Sequence, residues 1–323
     1  MKYGPASDAA PVVARGLVKR YGDLLAVDHV DLTVGRGDVY GYLGPNGAGK
    51  TTSLRMLLGL IRPTEGRARL FGRDPLLDGA RALDGVAGFV EAPRFYPYLT
   101  GMRNLELLAA FDGGGARARI GEVLDAVDLS DRAGDRVGGY SHGMRQRLGI
   151  AASLLRRPQL LLLDEPNTGL DPAGMRDMKA LLRRLAADGI TVLLSSHQMA
   201  DVEEMCNRVA IIDRGRILFE GDMVDLIRST GTWYHLRTSD QARAHELGAS
   251  LGVTDIEGEG EELRFTADEA MVERYVAELT LAGIGVRALV PAQATLEQLF
   301  FQLTESHSPA TAPDPHNLQE ALP

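Results

Sequence analysis

An α/β fold built on a mostly parallel sheet, followed by a small α+β domain, is what this sequence predicts, on three observations. Between about residues 38 and 212 short apolar strands alternate with helical segments, a pattern met by parallel strands with helices on both faces. The first such strand runs into Gly44-Pro45-Asn46-Gly47-Ala48-Gly49-Lys50-Thr51, a glycine-rich turn of the form G-x-x-x-x-G-K-T. From about Gly231 the order changes to strand, helix, two strands, helix, strand, the pattern of a split β-α-β-β-α-β unit.

In chain order, residues 1–10 are small and polar and read as a disordered tail. The β-branched runs from Val12 to Val34, separated by Gly22 and Gly35, predict antiparallel strands. Asp38 to Leu43 is a strand feeding the glycine turn, and Gly49 to Leu60 a helix ended by Pro63. Gly85 to Val90 is a strand. Residues 93–157, rich in Leu, Ala, Arg and Glu, read as a helical subdomain broken at Gly113-Gly114-Gly115 and Gly138-Gly139. Alternation resumes with a strand at Leu160–Leu163, a helix at Pro172–Ala187, a strand at Thr191–Leu194, a helix near Met199–Cys206 and a strand at Val209–Ile212. In the second domain, 230–304, strands are expected at Trp233–Arg237, Glu261–Phe265 and Gly285–Val290, with a weaker one at Val253–Ile256. Helices are expected up to Leu251, at Glu269–Ala282 and, with an apolar stripe, at Thr295–Thr304. Residues 305–323 read as a second disordered tail, which places the domains at 11–229 and 230–304.

Composition narrows the function classes. The chain of 323 residues, 45% apolar and 24% charged, is long enough for a large buried core. A net charge of −9 argues against non-specific nucleic-acid binding, which depends on neutralising phosphates. The single cysteine, Cys206, has no internal disulfide partner and fits a reducing compartment. Met1 to Val18 lacks the apolar run of a signal peptide, and no stretch approaches the ~18 apolar residues of a bilayer span. A soluble protein is expected, with any membrane role exerted through a partner.

The glycine turn carries the clearest chemistry. Its glycines let successive backbone N–H groups turn inward around β- and γ-phosphates, Lys50 adds a point charge, and Thr51 offers a hydroxyl to Mg²⁺. The helix beginning there aims its positive end at the same anion. Lys50 is one of only four lysines (with Lys2, Lys19 and Lys179) in a chain whose basic residues are otherwise arginine. Further on, the apolar run Leu160–Leu163 ends in Asp164-Glu165-Pro166. A buried strand ending in Asp164 delivers a carboxylate to the sheet edge where Mg²⁺ must be held, and Glu165 can orient or deprotonate an attacking water. A core strand followed by a solvated acidic turn is the plainer reading of that segment taken alone. Ser141-His142-Gly143-Met144 precedes another apolar helical run, so Ser141 is either an ordinary N-cap or a phosphate contact.

Together and in this order, these segments resemble the nucleotide-binding domain of ABC transporters over roughly residues 12–228. Gly44 to Thr52 matches the Walker A loop, so Thr52 joins the nucleotide-binding set, and Leu160 to Glu165 matches the Walker B strand. Tyr140 to Met144 stands at the signature motif, Gly169-Leu170-Asp171 at the D-loop, His197 at the switch histidine, and Tyr21 where the family stacks an aromatic ring on adenine. The pattern is departed from in two segments. Glu91 stands where glutamine is usual, and the signature carries His142 for a glycine and Met144 for a glutamine. The resemblance implies a P-loop ABC ATPase core that binds ATP and Mg²⁺, with Thr51, Glu91 and Asp164 toward the metal, Glu165 and His197 catalytic, and Ser141, Gly143 and Asp171 at the nucleotide. It also implies a head-to-tail dimer with a second copy or a paralogous ATPase, and a separate multi-span permease at the cytoplasmic face of the membrane. Phe95, Tyr96, Tyr98 and Leu99 are candidates to meet that permease or to pack the helical subdomain. The Glu-x-Pro segment, the Tyr-Ser-x-Gly-Met signature and the Thr-Leu-Glu-x-x-Phe helix resemble the drug- and antibiotic-exporter branch, which implies export of a drug, antibiotic or lipid-like molecule. A soluble ABC ATPase acting on ribosomes or DNA is the alternative class, against which stand a single set of motifs and an acidic balance.

Overall fold

The computed structural model describes residues 9–112, 115–229, 232–259, 262–293 and 296–306, in two units that divide at Met223/Val224. The expected tails fall outside the described residues, apart from Ala9, Ala10, Glu305 and Ser306. The first unit runs through β1 (Val12–Tyr21), β2 (Leu24–Val34), β3 (Val39–Leu43), α1 (Lys50–Leu57), β4 (Glu65–Leu70), β5 (Val86–Phe89), α2 (Gly101–Ala109), α3 (Ile120–Ala126) and α4 (His142–Leu154). It continues with β6 (Leu160–Asp164), α5 (Pro172–Ala187), β7 (Thr191–Ser196), α6 (Met199–Met205), β8 (Arg208–Asp213) and β9 (Arg216–Asp222), and α7 (Met223–Ser229) starts at the division.

The larger sheet has the order β5-β6-β7-β3-β8-β9, parallel except for β9, which returns antiparallel to β8. Strands covered on both faces read as unbroken apolar runs, and every residue of β3, β6 and β7 is buried. β7 lies between β3 and β6, with Leu43 opposite Ser196 and Asp164 opposite Ser195. The glycine turn after β3 and the acids at the end of β6 are thus separated by one strand, and all three strands end at the same edge.

A second sheet, β2-β1-β4, is antiparallel. Glu220 of β9 ties it to the first: its Oε1 accepts from the Thr33 backbone N–H and from the Tyr40 hydroxyl, each at 2.9 Å. Burial, with the Glu220 charge beside it, pushes the Tyr40 hydroxyl far above its ordinary value, so it stays a donor.

The segment from Pro93 is not helical from its start. Its first helix begins at Gly101, where Thr100 Oγ1 accepts the Arg103 N–H at 3.1 Å. Gly101 is required there, since a Cβ would stand 2.3 Å from the Tyr140 hydroxyl oxygen. β4 and β9 were not expected. Their signal, a period-two alternation such as Arg67-Ala68-Arg69-Leu70, is short and interrupted by Gly66 or Gly221.

The second unit contains β10 (Thr232–Thr238), α8 (Gln241–Leu251), β11 (Thr254–Glu259), β12 (Glu262–Thr266), α9 (Glu269–Leu281), β13 (Val286–Gln293) and α10 (Leu296–Ser306). Its antiparallel sheet has the order β11-β12-β10-β13, the arrangement of the split unit the sequence predicts. Phe265 is the centre of its core, stacked on Tyr234 at 5.5 Å and edge-on to Tyr275 at 5.3 Å. The Tyr275 hydroxyl, which burial pushes up to about 12, donates to the Ala244 carbonyl at 2.6 Å.

Candidate active site

Backbone conformation shapes the glycine turn. Gly47 and Gly49 hold φ of 82° and 106°, a region side chains disfavour, and a Cβ on Gly49 would stand 2.5 Å from the Ala26 carbonyl oxygen. The turn rests on the β8–β9 connection, where the Gly215 N–H donates to the Ala48 carbonyl at 3.0 Å and the Asp28 N–H to the Gly215 carbonyl at 2.8 Å. Gly49 is also the N-cap of α1 and provides no side-chain cap. The first-turn N–H groups of α1 are therefore left for an anion.

Lys50 opens α1 and is buried. Its ammonium donates to the Gly44 carbonyl at 2.6 Å and the Pro45 carbonyl at 3.1 Å, and lies 3.3 Å from Glu165 Oε1. Next to it, Thr51 Oγ1 donates to Asp164 Oδ2 at 2.9 Å. The Ser195 hydroxyl donates to the other oxygen of Asp164 at 2.6 Å and accepts the Glu165 backbone N–H at 2.9 Å. Glu165 Oε2 meets His197 Nδ1 at 2.8 Å. An ionised carboxylate only accepts, so Nδ1 carries the proton in this pairing. Lys50, Thr51, Asp164, Glu165 and His197, spread over 148 positions of sequence, form one hydrogen-bonded group. Glu165 holds a φ of 50°, strained for a residue with a side chain and a feature that concentrates at functional sites.

Of the remaining turn residues, Pro45, Asn46, Gly47 and Ala48 form the loop itself, and Thr52 lies on α1. Ser141, Gly143 and Asp171 stand apart from this group. They share a cavity of about 530 Å³ that Gly169 and Arg147 also line. Ser141 caps α4 by accepting the Met144 N–H at 3.2 Å, and Asp171 caps α5 by accepting the Gly174 N–H at 3.0 Å. The ring of His142 lies against Gly169, so the start of α4 and the segment before α5 touch within the chain. Tyr21 ends β1 at its hairpin with β2, 46% exposed, with the Lys19 ammonium 5.0 Å from its ring centre. Glu91 follows β5 with a φ of 69°, and its carboxylate is paired with Arg55 of α1. The structure gives it no bond to Thr51 or Asp164.

Sequence reading missed Ser195 and Ser196, which end β7 between the glycine turn and the acids; the Ser196 carbonyl accepts the Gly44 N–H at 3.2 Å. Two hydroxyls between a buried apolar strand and His197 were the available signal. It also missed a buried brace behind the site: Asn167 Nδ2 donates to Asp201 Oδ2 at 2.9 Å, and Asp201 Oδ1 meets Lys179 Nζ at 2.7 Å.

The donor set suits a magnesium nucleotide. Asp164 is 5% exposed and its charge meets two hydroxyls rather than a cation, which leaves a buried negative charge for Mg²⁺ to neutralise. Among the described residues no group of three or more His, Cys, Asp or Glu side chains forms a protein-only metal cage. Magnesium held partly by phosphate oxygens and water needs none.

Comparison with known proteins agrees. A family model described as ABC transporter matches residues 27–168. The chain is 40% identical over 302 residues to the daunorubicin/doxorubicin resistance ATP-binding protein DrrA of Streptomyces peucetius, covering 90% of this chain and 91% of that one. It is 42% identical over 229 residues to the bacitracin transport ATP-binding protein BcrA of Bacillus licheniformis, covering 71% of this chain and 75% of the relative. Among solved structures, the ATP-binding subunit of an ABC transporter superposes with a TM-score of 0.60 at 29% identity, over 68% of this chain and 92% of that one. A dimeric, post-hydrolysis ATP-binding cassette bound to ADP and phosphate gives 0.59 at 26% identity, over 66% and 98%. The glycine turn, the paired acids and the histidine thus stand in a chain that belongs to the ABC transporter family, as one of its ATP-binding, ATP-hydrolysing subunits.

Proposed function

We propose that this chain powers the export of a drug-like or antibiotic molecule through a separate multi-span permease, docked at the cytoplasmic face of the membrane. The carrying observation is the hydrogen-bonded group that sets Lys50 and His197 on the two oxygens of Glu165. Lys50 and the N–H groups of the glycine turn bind the phosphates of ATP, the ammonium exchanging its carbonyl partners for phosphate oxygens. Glu165 takes a proton from the attacking water as its oxygen bonds to the γ-phosphorus. The bond from that phosphorus to the β,γ-bridging oxygen breaks, and ADP and phosphate leave. His197, donating from Nδ1, keeps the Glu165 carboxylate oriented. Thr51 and Asp164 would hold Mg²⁺, which when bound neutralises charge on the phosphates. Glu91 is a candidate third ligand once it leaves Arg55.

Ser141, Gly143 and Asp171, set apart from Lys50 in this chain, fit a head-to-tail dimer in which they meet the nucleotide of a second ATPase, a copy or a paralogue. Tyr21 supplies the ring for adenine. Export of a drug-like molecule is supported by the names of the relatives and by the match to the daunorubicin/doxorubicin resistance protein, which runs through the second unit. No observation favours action on ribosomes or DNA. Replacing Glu165 by Gln is expected to leave ATP bound and to lower turnover by ~10²-fold or more, as for loss of a general base. Steady-state ATPase assays beside equilibrium nucleotide binding check this; turnover near the wild-type rate would remove Glu165 from the role of base.

A further inference from the structure

We infer that Ser195 is a positioning residue for hydrolysis, one hydroxyl that sets both acids at the end of β6. The inference rests on the ATPase reading above. A serine hydroxyl has one proton to give and can accept from others. Ser195 uses both capacities on adjacent residues: it donates to Asp164 Oδ1 at 2.6 Å and accepts the Glu165 N–H at 2.9 Å. It is fully buried and lies directly opposite Asp164 in the parallel register.

The two contacts have different consequences. Thr51 donates to Oδ2 of Asp164, so the carboxylate is gripped from both sides, by α1 and by β7, and its plane is fixed. The second contact addresses Glu165, whose backbone sits at a φ of 50°, where a residue with a side chain is held only by its surroundings. The Ser195 hydroxyl captures the peptide N–H of that residue, and the side chain leaves the strand toward Lys50 and His197. His197 stands two residues beyond Ser195 on the same chain segment. The strand that leads into the histidine therefore also fixes the backbone of the carboxylate it meets. Without the hydroxyl, Glu165 is free to relax from its left-handed conformation, which moves the base but not the glycine turn.

The test compares wild type with Ser195→Ala, Ser195→Cys and Ser195→Thr in the full-length chain, with thermal unfolding, binding of a fluorescent ATP analogue and steady-state ATPase measured on each. Ala removes both hydrogen bonds, Cys keeps the shape with a weak hydrogen-bonding group, and Thr retains the hydroxyl. The expected result is a kcat about tenfold or more lower in Ala and Cys, with KM and nucleotide affinity within about twofold of wild type, and kcat regained in Thr. If Ala fails to fold, Cys decides by the same criteria. Ala or Cys variants that unfold at lower temperature yet keep kcat within about twofold of wild type overturn the inference. A kcat loss matched by an equal loss of nucleotide affinity overturns it too. A wild-type chain that binds the nucleotide without hydrolysing it sinks the ATPase reading, and this inference with it.

Discussion

At Asp28 the side chain is almost wholly buried, yet its oxygens meet His29 Nδ1 at 2.7 Å and Arg216 Nε at 2.6 Å. The hydrogen bond from His29, then that from Arg216, holds its carboxyl below the ordinary 3.8 despite burial. This pair clamps β2 to the start of β9 beneath the glycine turn. A carboxyl with a lowered folded value contributes stability that is present above its unfolded value and lost as pH falls through the folded one. The gap in Tm between wild type and Asp28→Asn is therefore expected to be widest near neutral pH and to narrow below about pH 4. Thermal unfolding from neutral pH to about pH 3 checks this, and a constant gap would count against it. Residue types whose chemistry is local were legible in the sequence: Lys50 and Thr51 follow their glycines, and Asp164 and Glu165 follow their leucines. Ser195 was not legible, because its partners lie 30 and 31 positions away and nothing in its immediate neighbours implies them.

Among the elements, β3 shows how closely the site is packed from behind. Gly41 sits mid-strand, and a Cβ there would come 2.4 Å from Val202 Cγ1 and 3.1 Å from Cys206 Sγ. α6 thus lies directly on the strand that feeds the glycine turn, and burial pushes the Cys206 thiol up to about 12, leaving it protonated and inert. Gly41→Ala is expected to cost about 1–3 kcal/mol by overpacking, read as a lower midpoint in urea denaturation. An unchanged midpoint would mean that α6 moves aside freely. Strands buried on both faces, such as β6 and β7, were legible because burial removes polar residues from them. β4 and β9 carry no such run; each becomes a strand through pairing with β1 or β8.

For the whole molecule, the net charge of −9 bears on how the chain reaches a membrane. No helix among the described residues is long and apolar enough to cross one. Anionic lipid repels an acidic chain, so the protein is expected to remain unbound to anionic vesicles unless a permease is present. A flotation assay at low salt checks this; co-flotation with bare vesicles would show a direct lipid contact. The sequence by itself determined the phosphate-binding turn and the order of the strands buried on both faces with the helices between them, because phosphate binding demands particular residues at fixed spacing and buried strands demand apolar runs. It also determined the split β-α-β-β-α-β order of the second unit, which local periodicity carries. The tertiary structure alone decided that β7 runs between β3 and β6. It likewise decided that Ser195 meets both acids, that Arg55 takes Glu91, and that Asn167, Asp201 and Lys179 brace the site. Strand order and side-chain pairing come from contacts between segments far apart in the chain, and no local pattern records them.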